Sequence, residues 1–316
     1  MSQTVVNCPR CARRTPAVRA TCLHCGEALP VTRIERAPQQ RAIDSFELAF
    51  NTVLEPAPAT LPARAEDQLA AALKIEPQQA RAFIELRKPL PLARSQTRQE
   101  AEMIAELVRS CGLCARVVAD EDLQLNIELI RARRITQSAD GIEVQHKDGA
   151  LAVASSEIKL LVVGMLRSTR VDFTEGLKGM RTQPGTVLDT AEFFSEETLL
   201  DIYTSNLDNG VRVKADAFDY SGIVQPLSFR AEVNFGSLID ALRKLAPVAI
   251  IDQEFAEVSR LYSRAWPERS RTESGGVKRA GLAFRPVSKS SVIKDNHDQF
   301  DRYSRLLFIF NSLLYP

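Results

Sequence analysis

The sequence predicts an α+β fold in several parts: a small cysteine-built ribbon, a β-α-α-β-α-β module, and a β-rich domain closed by helices. Three observations carry this. Two CxxC pairs open the chain, helical and strand periodicities then alternate up to residue 120, and beyond it apolar runs of strand length are separated by turn dipeptides. The 316 residues amount to about two domains at roughly 150 residues each. With 45% apolar and 26% charged residues, the mix is that of an ordinary globular chain. The 41 Lys and Arg balance 40 Asp and Glu, for a formal net charge of +1, which excludes a wholly polybasic or acidic chain. No apolar run approaches the roughly 20 residues that span a bilayer. The opening MSQTVVNCPRC lacks a basic-then-apolar leader, so a cytoplasmic address is expected.

Residues 1–30 hold four of the six cysteines. Cys8 and Cys11 form CPRC, Cys22 and Cys25 form CLHC, and ten residues separate the pairs. Two intervening residues set the bite at which one turn presents two sulfurs to a tetrahedral ion, so Zn²⁺ on four thiolates is expected. A disulfide reading needs an oxidising compartment, for which no targeting segment argues. His24 is a substitute ligand, although four cysteines already satisfy the metal. The segment Val5–Leu29 resembles the zinc-ribbon modules at the N-termini of many bacterial proteins, and the resemblance implies metal binding without implying a function. A fragment this small has no hydrophobic core, so the metal is its fold.

Residues 1–41 carry seven basic side chains (Arg10, Arg13, Arg14, Arg19, Arg33, Arg36, Arg41) against Glu27 and Glu35. One reading is a patch for a phosphate backbone. The other is that four thiolates and Zn²⁺ leave a charge of about −2, which nearby arginines offset. No aromatic residue falls in this stretch, so bases have nothing to stack on. Residues 31–42 read as a linker.

Residues 43–120 read as one unit. Ser45–Leu54 alternates Phe46, Leu48 and Phe50 as a strand with one buried face, and Glu55–Pro62 is a Pro/Ala loop. Glu66–Lys74 and Pro77–Leu86 are short helices, the second with Pro77 at its first position. Pro89–Arg94 is an edge strand at best, given its two prolines. Thr97-Arg-Gln-Glu100 is a capping box opening a helix that buries Ile104, Leu107 and Val108 and ends at Gly112. Leu113–Ala119 closes the unit as a strand. The third CxxC, Cys111 and Cys114, sits at a helix C-terminus, where the dipole opposes a thiolate; two buried small apolar residues are expected.

This order, with AEMIAELVRSCG before a short strand, resembles the C-terminal domain of the large-subunit ribosomal stalk protein and the similarly folded Clp-protease adaptor. The residues that carry the resemblance are Ala80, Ala101, Glu102, Leu107 and Gly112. The stalk domain's Gly- and Lys-rich helix start is replaced by LKIEPQQA, and the adaptor's acidic turn by FNTVLEPAP. The resemblance therefore implies the fold and protein docking in general.

Residues 121–266 read as a β-rich domain with two terminal helices. Ile127–Thr136, Gly141–His146, Leu151–Ala154 and Glu157–Leu166 are strands, with hairpin turns at Ala139–Gly141 and Lys147–Gly149. The ladder resembles bacterial pleckstrin-homology-like domains. Residues 174–192 form a Gly/Lys/Pro loop, and Leu199–Thr204 and Val211–Phe218 continue the sheet. Phe235, Leu238, Ile239, Leu242 and Leu245 mark one amphipathic helix; Phe255, Val258, Leu261 and Tyr262 mark another. Residues 267–293, rich in Ser, Gly and Arg, read as a flexible linker. Residues 294–316 are an amphipathic helix carrying Phe300, Tyr303, Leu307 and Phe310, expected to pack on its own core or to dock on a partner or a membrane surface.

No catalytic motif emerges. Ser156–Lys159 and Ser291–Lys294 match S-x-x-K without its companion motifs, and Asp295, His297, Asp298 and Asp301 fit the acidic first turn that a helix dipole favours. The sequence therefore leads to a bacterial, cytoplasmic, non-enzymatic zinc-binding adaptor, scaffold or regulator with a protein partner. The alternatives are a nucleic-acid or ribosome binder using the basic ribbon, and an enzyme of unrecognised type in residues 125–265.

Overall fold

A computed structural model describes residues 5–16, 24, 25, 27, 43, 47–57, 61, 62, 64–176, 187–280 and 285–314. Cys22 and the expected linker 31–42 lie outside them. The chain divides into two compact units, Met1–Ala42 and Ile43–Pro316. In the small unit β1 (Val5–Asn7) and β2 (Arg14–Pro16) form an antiparallel hairpin with Asn7 opposite Arg14.

The large unit contains both helices and strands, as the α+β expectation requires. It opens with β3 (Phe50–Leu54), α1 (Ala65–Leu73), α2 (Pro77–Glu85), β4 (Leu90–Ser95), α3 (Arg98–Ser110) and β5 (Ala115–Ala119). The three strands make an antiparallel sheet in the order β4-β3-β5. The capping box is formed: the Glu100 N–H donates to Thr97 Oγ1 at 3.2 Å, and the Thr97 N–H donates to Glu100 Oε2 at 3.4 Å. Two expectations are corrected. α3 buries Ala101, Ile104, Ala105 and Val108 and leaves Leu107 half-buried. The first strand starts only at Phe50; Leu48 is 67% exposed, and Phe46 lies outside the described residues. What β3 buries is the run Asn51–Leu54, whose polar members are satisfied inside, Thr52 by donating to the Ala101 carbonyl at 2.9 Å.

There follow β6 (Ile130–Ala132), β7 (Arg134–Gln137), β8 (Gly141–His146), β9 (Gly149–Ala154), β10 (Leu160–Gly176), β11 (Val187–Tyr203) and β12 (Val211–Lys214). The chain ends with α4 (Ala231–Leu245), β13 (Ile250–Asp252), α5 (Phe255–Val258), β14 (Arg269–Ala280), β15 (Arg285–Asp295) and α6 (His297–Leu314). β7, β8 and β9 form a meander. The other strands build a seven-stranded mixed sheet, β14-β15-β10-β11-β12-β6, with β13 parallel to the start of β10.

The expected strand Ile127–Thr136 is split, because β6 pairs with β12 while β7 pairs with β8. The loop expected at 174–192 is corrected at both ends, where strands run to Gly176 and resume at Val187; residues 177–186 lie outside the described residues. The second expected helix is one turn, α5. Residues 267–293 are not a linker. They form the hairpin β14–β15, and β15 pairs with β10 from Ser168–Asp295 to Gly176–Val287. Ser, Gly and Arg suit a strand exposed on its faces when a long partner supplies the hydrogen bonds.

Period-2 alternation in the large sheet feeds two cores. Leu160, Val162, Leu166, Leu199 and Tyr203 face one way, toward β3–β5, α2, α3 and α6; Leu161, Leu200 and Ile202 face the other, toward the meander and α4. The first core runs from Val53 to Phe310, so the expected boundaries at 120, 266 and 293 divide nothing: 43–120, 121–266 and 294–316 share it. α6 packs on this core, with Phe300, Tyr303, Leu306, Leu307 and Phe310 all buried, and that apolar stripe is closed to a membrane or a partner. Gly164 allows the approach: a Cβ there would stand 2.3 Å from the Phe300 ring.

Candidate metal centre

The small unit builds its site from a single tight turn. After β1 the chain reverses through Pro9 and Arg10. The Ala12 N–H donates to the Cys8 carbonyl at 2.9 Å and the Cys8 N–H to the Arg13 carbonyl at 3.0 Å. Closing the turn places Ala12 in the left-handed region at φ 55°. The result brings Cys8 and Cys11 to one side of the hairpin, and Cys25 joins them; the three sulfurs lie within 4.8 Å of one another. Cys8 is buried, the other two half-buried, and none of the three is in a disulfide.

The donor set fits a metal. Cys8 Sγ and Cys25 Sγ are 3.6 Å apart. A disulfide would bring them to about 2.0 Å, whereas thiolates about 2.3 Å from a tetrahedral ion are about 3.8 Å from each other. Three convergent sulfurs can therefore hold a metal ion. Arg10 pairs with Glu27 at 3.2 Å, both exposed, at the rim of this cluster.

The other predicted candidates fall elsewhere. Cys111 is buried and donates to the Leu107 carbonyl at 3.3 Å, and burial pushes its thiol above the usual range; Cys114 is exposed, correcting the expectation of two buried groups. Asp295 accepts from the His297 N–H at 3.3 Å and so begins α6, while Asp301 pairs with Arg212 at 2.8 Å. Among the described residues, the cysteine cluster is the one group of three or more such ligands placed to hold a metal.

Sequence reasoning missed a second constellation, in the large unit. Three buried carboxylates, Asp120, Asp201 and Asp252, lie around α6, and three successive residues of that helix each reach a different one. Arg302 donates to Asp120, Tyr303 to Asp252 at 3.1 Å, and Ser304 to Asp201 at 2.7 Å. Successive helical residues point about 100° apart, so such a triplet requires a helix surrounded by protein. Further partners complete each pair. Asp120 also accepts from Arg94 at 2.6 Å and from Asn51 at 2.8 Å, and Trp266 Nε1 donates to Asn51 at 2.8 Å. Arg212 grips Asp201 with two bonds, at 2.6 and 2.8 Å. Lys88 pairs with Asp252, and with Glu254 at 2.9 Å. Burial works to raise the Asp120 carboxyl, but Arg302, Asn51 and Arg94 outweigh it and hold it below the ordinary carboxylate value. Burial works to lower Lys88, and its two carboxylates outweigh that and raise it. The three carboxylates are 5%, 0% and 4% exposed, so their chemistry is cohesion.

An open groove of about 920 Å³ lies between β6, the β8–β9 turn and Phe218, lined by Arg131, Arg133, His146 and Lys147 but also by Glu128, Asp148 and Asp219. Its mixed charge selects no ligand class. Compared with known protein families, curated proteins and solved structures, the chain matches none of them.

Proposed function

We propose that this chain is a zinc-binding adaptor or scaffold that acts by docking other proteins and performs no reaction of its own. Cys8, Cys11 and Cys25, with Cys22 as the fourth thiolate, would hold the ion. Zinc there is a structural cross-link for a hairpin too small to fold on a hydrophobic core.

The observation that carries the docking reading is Phe229, whose side chain stands fully in solvent on a turn held from within. The Ser228 N–H donates to Asn234 Oδ1 at 2.8 Å, Asn234 Nδ2 donates back to the Ser228 carbonyl at 2.8 Å, and the Arg230 N–H donates to Ser228 Oγ at 3.2 Å. Leu227 and Val233 beside it are also exposed. An aromatic anchor on a prefixed backbone pays little ordering entropy on binding and belongs to the side-chain class enriched at interfaces. The stalk-like element order of residues 50–119 and the hairpin ladder that suggested a pleckstrin-homology-like domain agree with such a role in kind and are carried no further.

Deleting residues 43–120 or 295–316 would open the shared core, so the test uses point substitutions outside that core. Full-length protein is crosslinked in lysate at about 150 mM salt, where isolated phosphate contacts are largely screened. Phe229→Ser should lose the crosslinked proteins at least tenfold, and the combined Arg10→Ala, Arg13→Ala and Arg14→Ala variant should keep them. The reverse pattern would make the basic ribbon the reader and nucleic acid the partner. For the metal, elemental analysis should find one zinc per chain, lost on Cys8→Ser with Cys25→Ser; freshly reduced protein without metal would overturn that half.

A further inference from the structure

The two outer edges of the large sheet carry opposite charge. β12 pairs with β11 only over Leu199–Ile202, so among the described residues Val187–Thr198 pairs on one side only, with β10. β14 is the terminal strand on the opposite side. Each open stretch is 12 residues, about 40 Å at roughly 3.4 Å per residue. The β11 edge has Asp189, Glu192, Glu196 and Glu197 and no base, a net −4. The β14 edge has Arg269, Arg271, Lys278 and Arg279 against Glu273, a net +3. Phe193 and Phe194, adjacent and so on opposite faces, are 55% and 73% exposed on the acidic edge.

Open edges are usually guarded by charge. Like charge on both edges would repel every pairing of copies. Opposite charge repels only β11 from β11 and β14 from β14, and favours β11 on β14. Strand direction agrees. β10 is antiparallel to β11 and to β15, and β15 to β14, so β11 and β14 run antiparallel to each other. A second copy in the same orientation therefore continues an all-antiparallel sheet. Competing pairs along these edges, Arg167–Glu196 at 3.3 Å, Arg271–Glu273 at 3.2 Å and Arg269–Asp298 at 3.8 Å, are largely exposed and worth little. The half-buried Lys214–Glu197 pair at 2.7 Å, by contrast, offsets one acidic charge and leaves the β11 edge at −3.

We propose that this chain assembles with further copies of itself, β11 of one against β14 of the next. The contact is head-to-tail, so it propagates or closes into a ring. It is independent of the turn at Phe229.

Sedimentation velocity on the full chain, from about 1 to 100 µM, should show oligomers that grow with concentration and shrink at about 1 M salt, where the Debye length is about 3 Å. Two variants locate the contact: Glu192→Lys with Phe194→Lys on β11, and Arg269→Glu with Arg271→Glu on β14. Each alone should be monomeric with an unshifted melting temperature, and an equimolar mixture should assemble again, because each supplies the edge that complements the other. On the unmodified protein, carbodiimide crosslinking of mixed ¹⁴N and ¹⁵N copies should join Lys278 of one copy to Asp189 or Glu192 of another. A monomer at every concentration overturns the proposal. So does assembly that survives in either variant alone, which would place β11 on β11 or β14 on β14.

Discussion

Asp120 shows how far a single residue can be read from sequence. Its neighbours in the chain, Ala119 and Glu121, give no hint that its carboxylate is buried between Arg94 and Arg302, 26 and 182 positions away. The cysteine cluster is legible for the opposite reason: Cys8, Cys11 and Cys25 lie within one short segment and the spacing itself is the signal. Arg302 and Ser304 are hidden because polar residues on a helix read as a solvated face, and Tyr303 shows on the apolar stripe without any sign that its hydroxyl reaches Asp252. Asp120→Asn should cost about 3–5 kcal/mol at neutral pH, since it removes the buried carboxylate charge that Arg94 and Arg302 both contact. The sign with pH follows from the depressed carboxyl. Its stabilisation is fully present above the unfolded value of about 4 and is lost as pH falls toward the folded value. Urea midpoints of the parent and Asp120→Asn should therefore differ widely at about pH 7 and converge below about pH 4. A gap that stays constant across that range would show that charge pairing is not what Asp120 contributes.

At the scale of elements, legibility tracks how local the stabilising contacts are. α3 is announced by its capping box and its period, and both its ends fall within two residues of the expectation. Its buried stripe is centred between Ala101, Ile104, Ala105 and Val108, and at about 100° per residue Leu107 lies about 110° from that centre. Ile104→Ala should thus cost about 2–5 kcal/mol in chemical denaturation of the full chain, and Leu107→Ala distinctly less, because part of that side chain is already wet. Equal losses would mean the helix is rotated from the face described. The β14–β15 hairpin is the counter-example. Its sequence satisfies every criterion for a linker, and what makes it sheet is β10, more than a hundred residues earlier, which no local window contains.

For the molecule as a whole, the decisive element is the last one. Sequence periodicity marked α6 as amphipathic and so left two destinations for its apolar face, a partner or the chain's own core. The structure gives it the core and, beyond that, the polar contacts of the other faces: Gln299 donates to the Trp266 carbonyl, Arg305 to the Ile127 carbonyl, and residues 302–304 to the three buried carboxylates. The segments before it cannot be separately stable units, since the core that joins Val53 to Trp266 also contains Phe300, Tyr303, Leu306 and Phe310. A chain ending at Asn296 would expose that core and leave Asp120, Asp201 and Asp252 each short of a partner. The loss far exceeds the roughly 5–15 kcal/mol by which a domain is folded. The truncated protein should show no cooperative thermal transition and rapid proteolysis throughout residues 43–296. Adding a synthetic peptide of residues 297–316 in excess should restore a transition whose midpoint rises with peptide concentration, as binding to the folded form alone requires. A truncated chain that melts cooperatively at the parent temperature would mean the earlier segments hold a core of their own, and α6 would be a lid rather than the centre.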